Sequence, residues 1–174
     1  MKFLIQIVIV LSAATAVSAQ ASSSKTALDD LKFLIGDWEA VGGGDPGVGK
    51  GGFSFTFDLQ SKIIIRRSYA DYPATTNRPA MRHDDLMVIY FDESAHQTFA
   101  NFFDTEGHQI KYRVTTSADR QSVVFMSEPV QSQPRYRLSY TASRDGNLNG
   151  TFDIAPPGQS ETFKNYLQWT GRKK

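Results

Sequence analysis

The chain has 174 residues, no cysteine, a formal net charge of +1 and 12 % aromatic residues. Without cysteine there is no disulfide, no thiolate metal site and no lipid-modified N-terminal cysteine, so a secreted form would be held together by its core alone. The near-neutral charge creates no field that gathers nucleic acid or anionic membranes, and the length beyond a leader is that of one domain.

Residues 1–19 read as an export signal. Lys2 supplies a minimal positive start, residues 3–11 are almost unbroken apolar, and Val17-Ser18-Ala19 offers the small residues of a cleavage site. The apolar run is shorter than the roughly 20 residues of a membrane span, and Ser12, Thr15 and Ser18 dilute it. Cleavage near Ala19 is therefore expected, giving a secreted or periplasmic protein without stable membrane insertion. Residues 20–24 form a small, polar leader, and a single domain occupies 25–174. Ser24 suits a helix N-cap, and Ala27, Leu28, Leu31, Leu34 and Ile35 fall on one apolar stripe. Asp29 and Asp30 favour the start of that helix, and Gly36 suits its end.

Strand-like segments fill the remainder. The first is 37–41, followed by a glycine-rich stretch, 42–52, that reads as a flexible connection at the barrel mouth. It lacks the Lys-Ser/Thr ending and the following helix of a phosphate loop. Phe53, Phe55 and Phe57 then alternate with polar residues in the second strand. The third, 62–72, carries Ile63-Ile64-Ile65, where alternation is blurred, and ends at a long loop, 73–79. Strands four and five are expected at 85–91 and 98–103. Asp104-Thr105-Glu106-Gly107 is turn chemistry leading to a sixth strand with Ile110, Tyr112 and Val114 on one face. The seventh covers 122–127, and the eighth carries Tyr136, Leu138 and Tyr140. Asp145-Gly146 then signals a hairpin into a ninth strand with Leu148, Phe152 and Ile154. The tenth runs through 163–170. About ten short strands with hairpin-length connections predict an all-β fold, an antiparallel up-and-down barrel capped at one end by the short N-terminal helix.

At Gly36-x-Trp38 the chain resembles the calycin group: lipocalins, fatty-acid-binding proteins and nitrobindin-like barrels. Leu31-x-x-Leu34-x-Gly36-x-Trp38 also resembles a family of uncharacterised bacterial secreted barrel domains. The lipocalin resemblance implies a structural signature of Gly36, Trp38 and Arg172, with Arg172 lying over the Trp38 ring. Nitrobindin-like barrels hold haem through a histidine near the C-terminal strands. Here the histidines are His83, His96 and His108, and none falls within 163–174, so no haem or other cofactor is expected. In the fatty-acid-binding group, late arginines and tyrosines commonly hold a carboxylate, for which Arg135, Arg137 and Tyr166 are available.

Two groups carry candidate chemistry. In Arg82-His83-Asp84-Asp85, strand alternation puts His83 and Asp85 on one face, which suits proton transfer or a metal ligand pair. A metal needs a third ligand; His96 and His108 fall near strand starts at mismatched ends, so no metal site is expected. The other reading is a solvated strand entrance. In Arg66-Arg67, Arg67 shares a face with Ile63, Ile65 and Tyr69, so an inward Arg67 would pair with Asp85 or meet an anionic ligand. Tyr69, Tyr90, Asn101, Tyr112, Tyr140 and Tyr166 complete the candidate lining, although alternating aromatics equally fill an ordinary β-core. No serine-nucleophile elbow is present. The expected function is binding of a small hydrophobic or amphipathic molecule, with an acidic group for Arg67 to meet. The alternatives are a barrel enzyme using His83 and Asp85, or a filled, non-catalytic envelope module.

Overall fold

The computed structural model describes residues 27–44 and 46–174; the expected export signal, the leader and the Ser24 cap lie outside the described residues. Ten strands follow a short 3₁₀ helix, Asp29–Leu34. They are β1 (Gly36–Gly44), β2 (Gly49–Asp58), β3 (Ile63–Tyr72), β4 (Met81–Asp92) and β5 (Gln97–Asp104), then β6 (Gln109–Thr116), β7 (Ser122–Ser127), β8 (Arg135–Ala142), β9 (Leu148–Ala155) and β10 (Lys164–Lys173). Each pairs antiparallel with the next, and β1 pairs with β10, so the sheet is a closed meander with no free edge among these strands.

Pairing carries the inside–outside phase around the sheet, because directly opposed residues share a face. Phe53, Phe55 and Phe57 of β2 oppose Ser68, Arg66 and Ile64 of β3, which in turn oppose Asp85, Met87 and Ile89 of β4. The even residues of β3 therefore face inward. Arg66 is 5 % exposed, whereas Arg67 lies outside with Ile63, Ile65 and Tyr69. The expected inward Arg67 is thus replaced by its neighbour.

The two barrel ends differ. The end holding the β2–β3, β4–β5, β6–β7 and β8–β9 turns is closed by the 3₁₀ helix. Leu28, Leu31 and Leu34 repeat at the three-residue period of that helix, and all three are buried. The Trp38 Nε1 donates to Leu34 O at 2.9 Å, tying the helix to β1, and the Trp38 ring stacks on Phe53 at 6.1 Å. Phe53, Phe55, Phe125 and Tyr140 continue this packing in tilted and edge-on pairs. The Trp38 ring is covered by Lys173, whose Nζ stands 5.6 Å from its centroid. Arg172 opposes Glu39 on the outer face, so the cation position that the lipocalin resemblance gave to Arg172 belongs to the next residue.

At the other end lies the mouth. The glycine-rich stretch expected to be a flexible connection is mostly sheet: β1 runs to Gly44, β2 begins at Gly49, and Gly42 opposes Gly49. Glycine in a closed sheet makes room for neighbours rather than turns. At Gly150 of β9 any Cβ would meet the Trp169 ring at 2.1 Å, so only hydrogen fits beneath that indole.

Candidate functional site

Behind the mouth the barrel encloses a cavity of about 510 Å³. Its volume follows from the sequence. The inward residues of β1, β2 and β3 behind the mouth include Ala40, Gly42, Gly49, Gly51, Ser68 and Ala70, which leave much of the interior unfilled, while Tyr72 packs over Gly49 at the rim. Phe102, Ile110, Leu138, Phe152, Leu167 and Trp169 form apolar walls opposite. Tyr136 stacks on Phe152 at 5.8 Å, and Tyr166 meets the same ring edge-on at 6.3 Å.

Polar groups gather along β3, β4 and the β5–β6 turn. At the base, the Arg66 Nη1 pairs with Asp85 Oδ1, and both side chains are almost fully buried. The Arg66 Nε donates to Tyr140 Oη at 2.8 Å. Nearer the mouth, His83 Nε2 faces Asp85 Oδ2 at 3.5 Å, and His83 Nδ1 lies 2.7 Å from Glu106 Oε2. Asp104 directly opposes Asp85 across the β4–β5 ladder. Its Oδ2 meets His108 Nδ1 at 2.7 Å, and its Oδ1 accepts the backbone N–H groups of Glu106 and His108. A continuous polar chain therefore runs from the aromatic floor at Tyr140 to Glu106 at the rim.

Burial and charge act in opposition along this chain. Burial works to lower the Arg66 pKa, but the Asp85 carboxylate and the Tyr140 hydroxyl more than offset it, leaving it above its usual value. Burial likewise pushes the Asp85 carboxyl up, and Arg66 and His83 reverse that, leaving it below its usual value. His83 is raised by its hydrogen bond to Asp85; burial opposes this, and Glu106 adds to the rise. Burial pushes the Tyr140 phenol up to about 12 and raises Tyr112 further, so both stay neutral.

The sequence candidates separate into two groups. His83 and Asp85 share the inner face as alternation requires, but inside β4 rather than at a solvated strand entrance. Tyr112 and Tyr166 line the cavity, and Tyr140 lies below it. Tyr90 and Asn101 point outward; Tyr90 packs on Phe99 at 6.2 Å on the outer wall. Tyr69 starts from the outer face beneath Arg82, 4.3 Å from the ring centroid, and borders the cavity. Arg67 lies in an outer groove with Asp37 and Asp84. His108 shares the mouth with His83, whereas His96 sits in the β4–β5 turn at the opposite end. Arg66, Asp104 and Glu106 were not singled out by sequence; the signal for Arg66 was its phase relative to Phe53, Phe55 and Phe57.

No protein-family model matches the chain, and no curated protein matches it.

Two outcomes test this geometry. Arg66→Met strands the buried Asp85 charge and should cost about 3–5 kcal/mol in urea unfolding, whereas Arg67→Met should change stability by less than about 1 kcal/mol. The reverse order would show that β3 has the opposite phase. For His83, the folded pKa lies above the unfolded value of about 6.5. Its stabilisation is complete below pH 6.5 and is lost as pH rises through the folded pKa. Unfolding free energy measured from pH 6 to 9 should fall across that range, and Glu106→Gln should flatten the fall.

Proposed function

We propose that this barrel is a secreted or periplasmic binding protein of calycin type that takes a small, mostly apolar molecule through its mouth. The observation that carries the reading is the cavity of about 510 Å³, apolar on one side with polar groups gathered on the other. That division suits a ligand whose body is driven in by burial at about 25 cal/mol per Å² and whose polar end is oriented by a few groups. The export-signal sequence at 1–19 and the Gly36-x-Trp38 motif support the location and the grouping.

The polar wall favours a different head group from the acid suggested by an inward Arg67. Asp85, Asp104 and Glu106 share it with one guanidinium, Arg66, which is already paired. A neutral hydrogen-bond donor or a cation fits that balance better than a carboxylate. Binding is also favoured over proton transfer by His83, because both of its ring nitrogens are engaged by this chain's own carboxylates, Asp85 and Glu106. A filled structural module has no use for an open interior of this size.

A neutral apolar dye, Nile red, should enter the cavity with blue-shifted, saturable fluorescence at one molecule per chain. Ala70→Phe, which fills the cavity from β3, should weaken that binding about tenfold or more while the variant still melts cooperatively. Undiminished binding in a folded Ala70→Phe protein would place the dye elsewhere and remove the support for an internal site.

A further inference from the structure

We propose that the cavity mouth is a divalent transition-metal site built by His83, Asp104 and Glu106, suited to Zn²⁺ or Mn²⁺. These three residues come from β4, the end of β5 and the β5–β6 turn, and each offers a donor atom within 4.8 Å of the others. One imidazole and two carboxylates form a mixed nitrogen–oxygen set that suits borderline and moderately hard divalent cations.

The surroundings give a second, independent reason. A metal-binding histidine ordinarily turns its remaining ring N–H toward a carboxylate, which fixes its tautomer and aim. With His83 Nδ1 directed to the Glu106 side, its Nε2 faces Asp85 Oδ2 at 3.5 Å, and Asp85 is itself held by buried Arg66. Asp104 is positioned by two backbone N–H groups and by His108 Nδ1, while its side chain is almost fully buried. The outer supports are therefore in place around His83 and Asp104, and Glu106 is the most exposed of the three ligands.

Electrostatics points the same way. Asp85 is paired with Arg66, but Asp104 and Glu106 bring two further carboxylates to the His83 side of the mouth, and like charges so placed repel. A divalent cation between Asp104 and Glu106 relieves that repulsion. Three protein ligands also leave coordination positions open toward the cavity, where the polar end of a bound molecule can reach the metal. The site shares the cavity of the proposed carrier, but its test uses the cation alone, so the two readings fail separately.

The experiment is isothermal titration of the EDTA-stripped, dialysed full chain with Zn²⁺ and with Mn²⁺, alongside Nile red titrations of the same samples. One cation per chain is expected, with affinity falling about tenfold or more in Glu106→Gln and about a hundredfold in His83→Ala. His96→Ala, at the far end of the barrel, should bind as the parent does. Broadening of the His83 and His108 ring signals by substoichiometric Mn²⁺ would place the ion without relying on any variant. Absence of stoichiometric binding would overturn the proposal. So would binding that survives both ligand variants, disappears with His96→Ala, or leaves the His83 and His108 signals sharp.

Discussion

The buried pair of Arg66 and Asp85 constrains the rest of the site. Neither charge is tolerable alone inside a barrel, where desolvating each ion costs several kcal/mol, so the two must arrive together from adjacent strands. That requirement fixes the phase of β3 against β4: Arg66 must face inward, and Arg67 must then face out. It also places the inner partners. Tyr140 receives the Arg66 Nε from below, and His83 borders Asp85 from above. A pair of this kind adds little net stability compared with an apolar replacement, but breaking it is expensive, so it disfavours other registers.

Side-chain size divides the interior. Toward the closed end, Trp38, Phe53, Phe55, Phe125 and Tyr140 interlock under the 3₁₀ helix and leave the small cluster fully packed. Toward the mouth, β1 to β3 present mostly glycine, alanine and serine, with Tyr72 at the rim, and the missing side-chain volume is the cavity. The same fold thus has a packed half that supplies stability and an open half available for a ligand. The polar chain links the halves, with Tyr140 at one end and Glu106 at the other.

Most of the architecture was legible because aromatic and β-branched residues alternate with polar ones through most strands. Phe53, Phe55 and Phe57 define one face without ambiguity, and Gly146, with φ of +81°, supports the Asp145-Gly146 hairpin. The choice of Arg67 over Arg66 has a plain physical origin. Ile63-Ile64-Ile65 is apolar on both faces, so its own pattern carries no phase, whereas Tyr69, on the same outer face as Arg67, still reaches the cavity border. The phase was recoverable only by carrying it across the hairpin from Phe57 to Ile64. Glycines at 42–52 resemble a loop because their strand role lies in what they leave empty. Asp104 and Glu106 resembled ordinary turn residues; their meeting with His83 depends on the β4–β5 register and the closing of β5 onto β6. Tyr112 and Tyr166 were visible as aromatics, but only the pairing distinguishes them from outward-facing Tyr90.

Native mass spectrometry of the protein purified from its own host tests the central claim most directly, because it asks whether the open half of the barrel is used. The expected spectrum shows a bound species one small molecule heavier than the polypeptide, with release on denaturation yielding a compound that partitions into organic solvent. A spectrum containing only the bare polypeptide, from a preparation that also fails to take up a neutral apolar dye, would contradict a binding barrel.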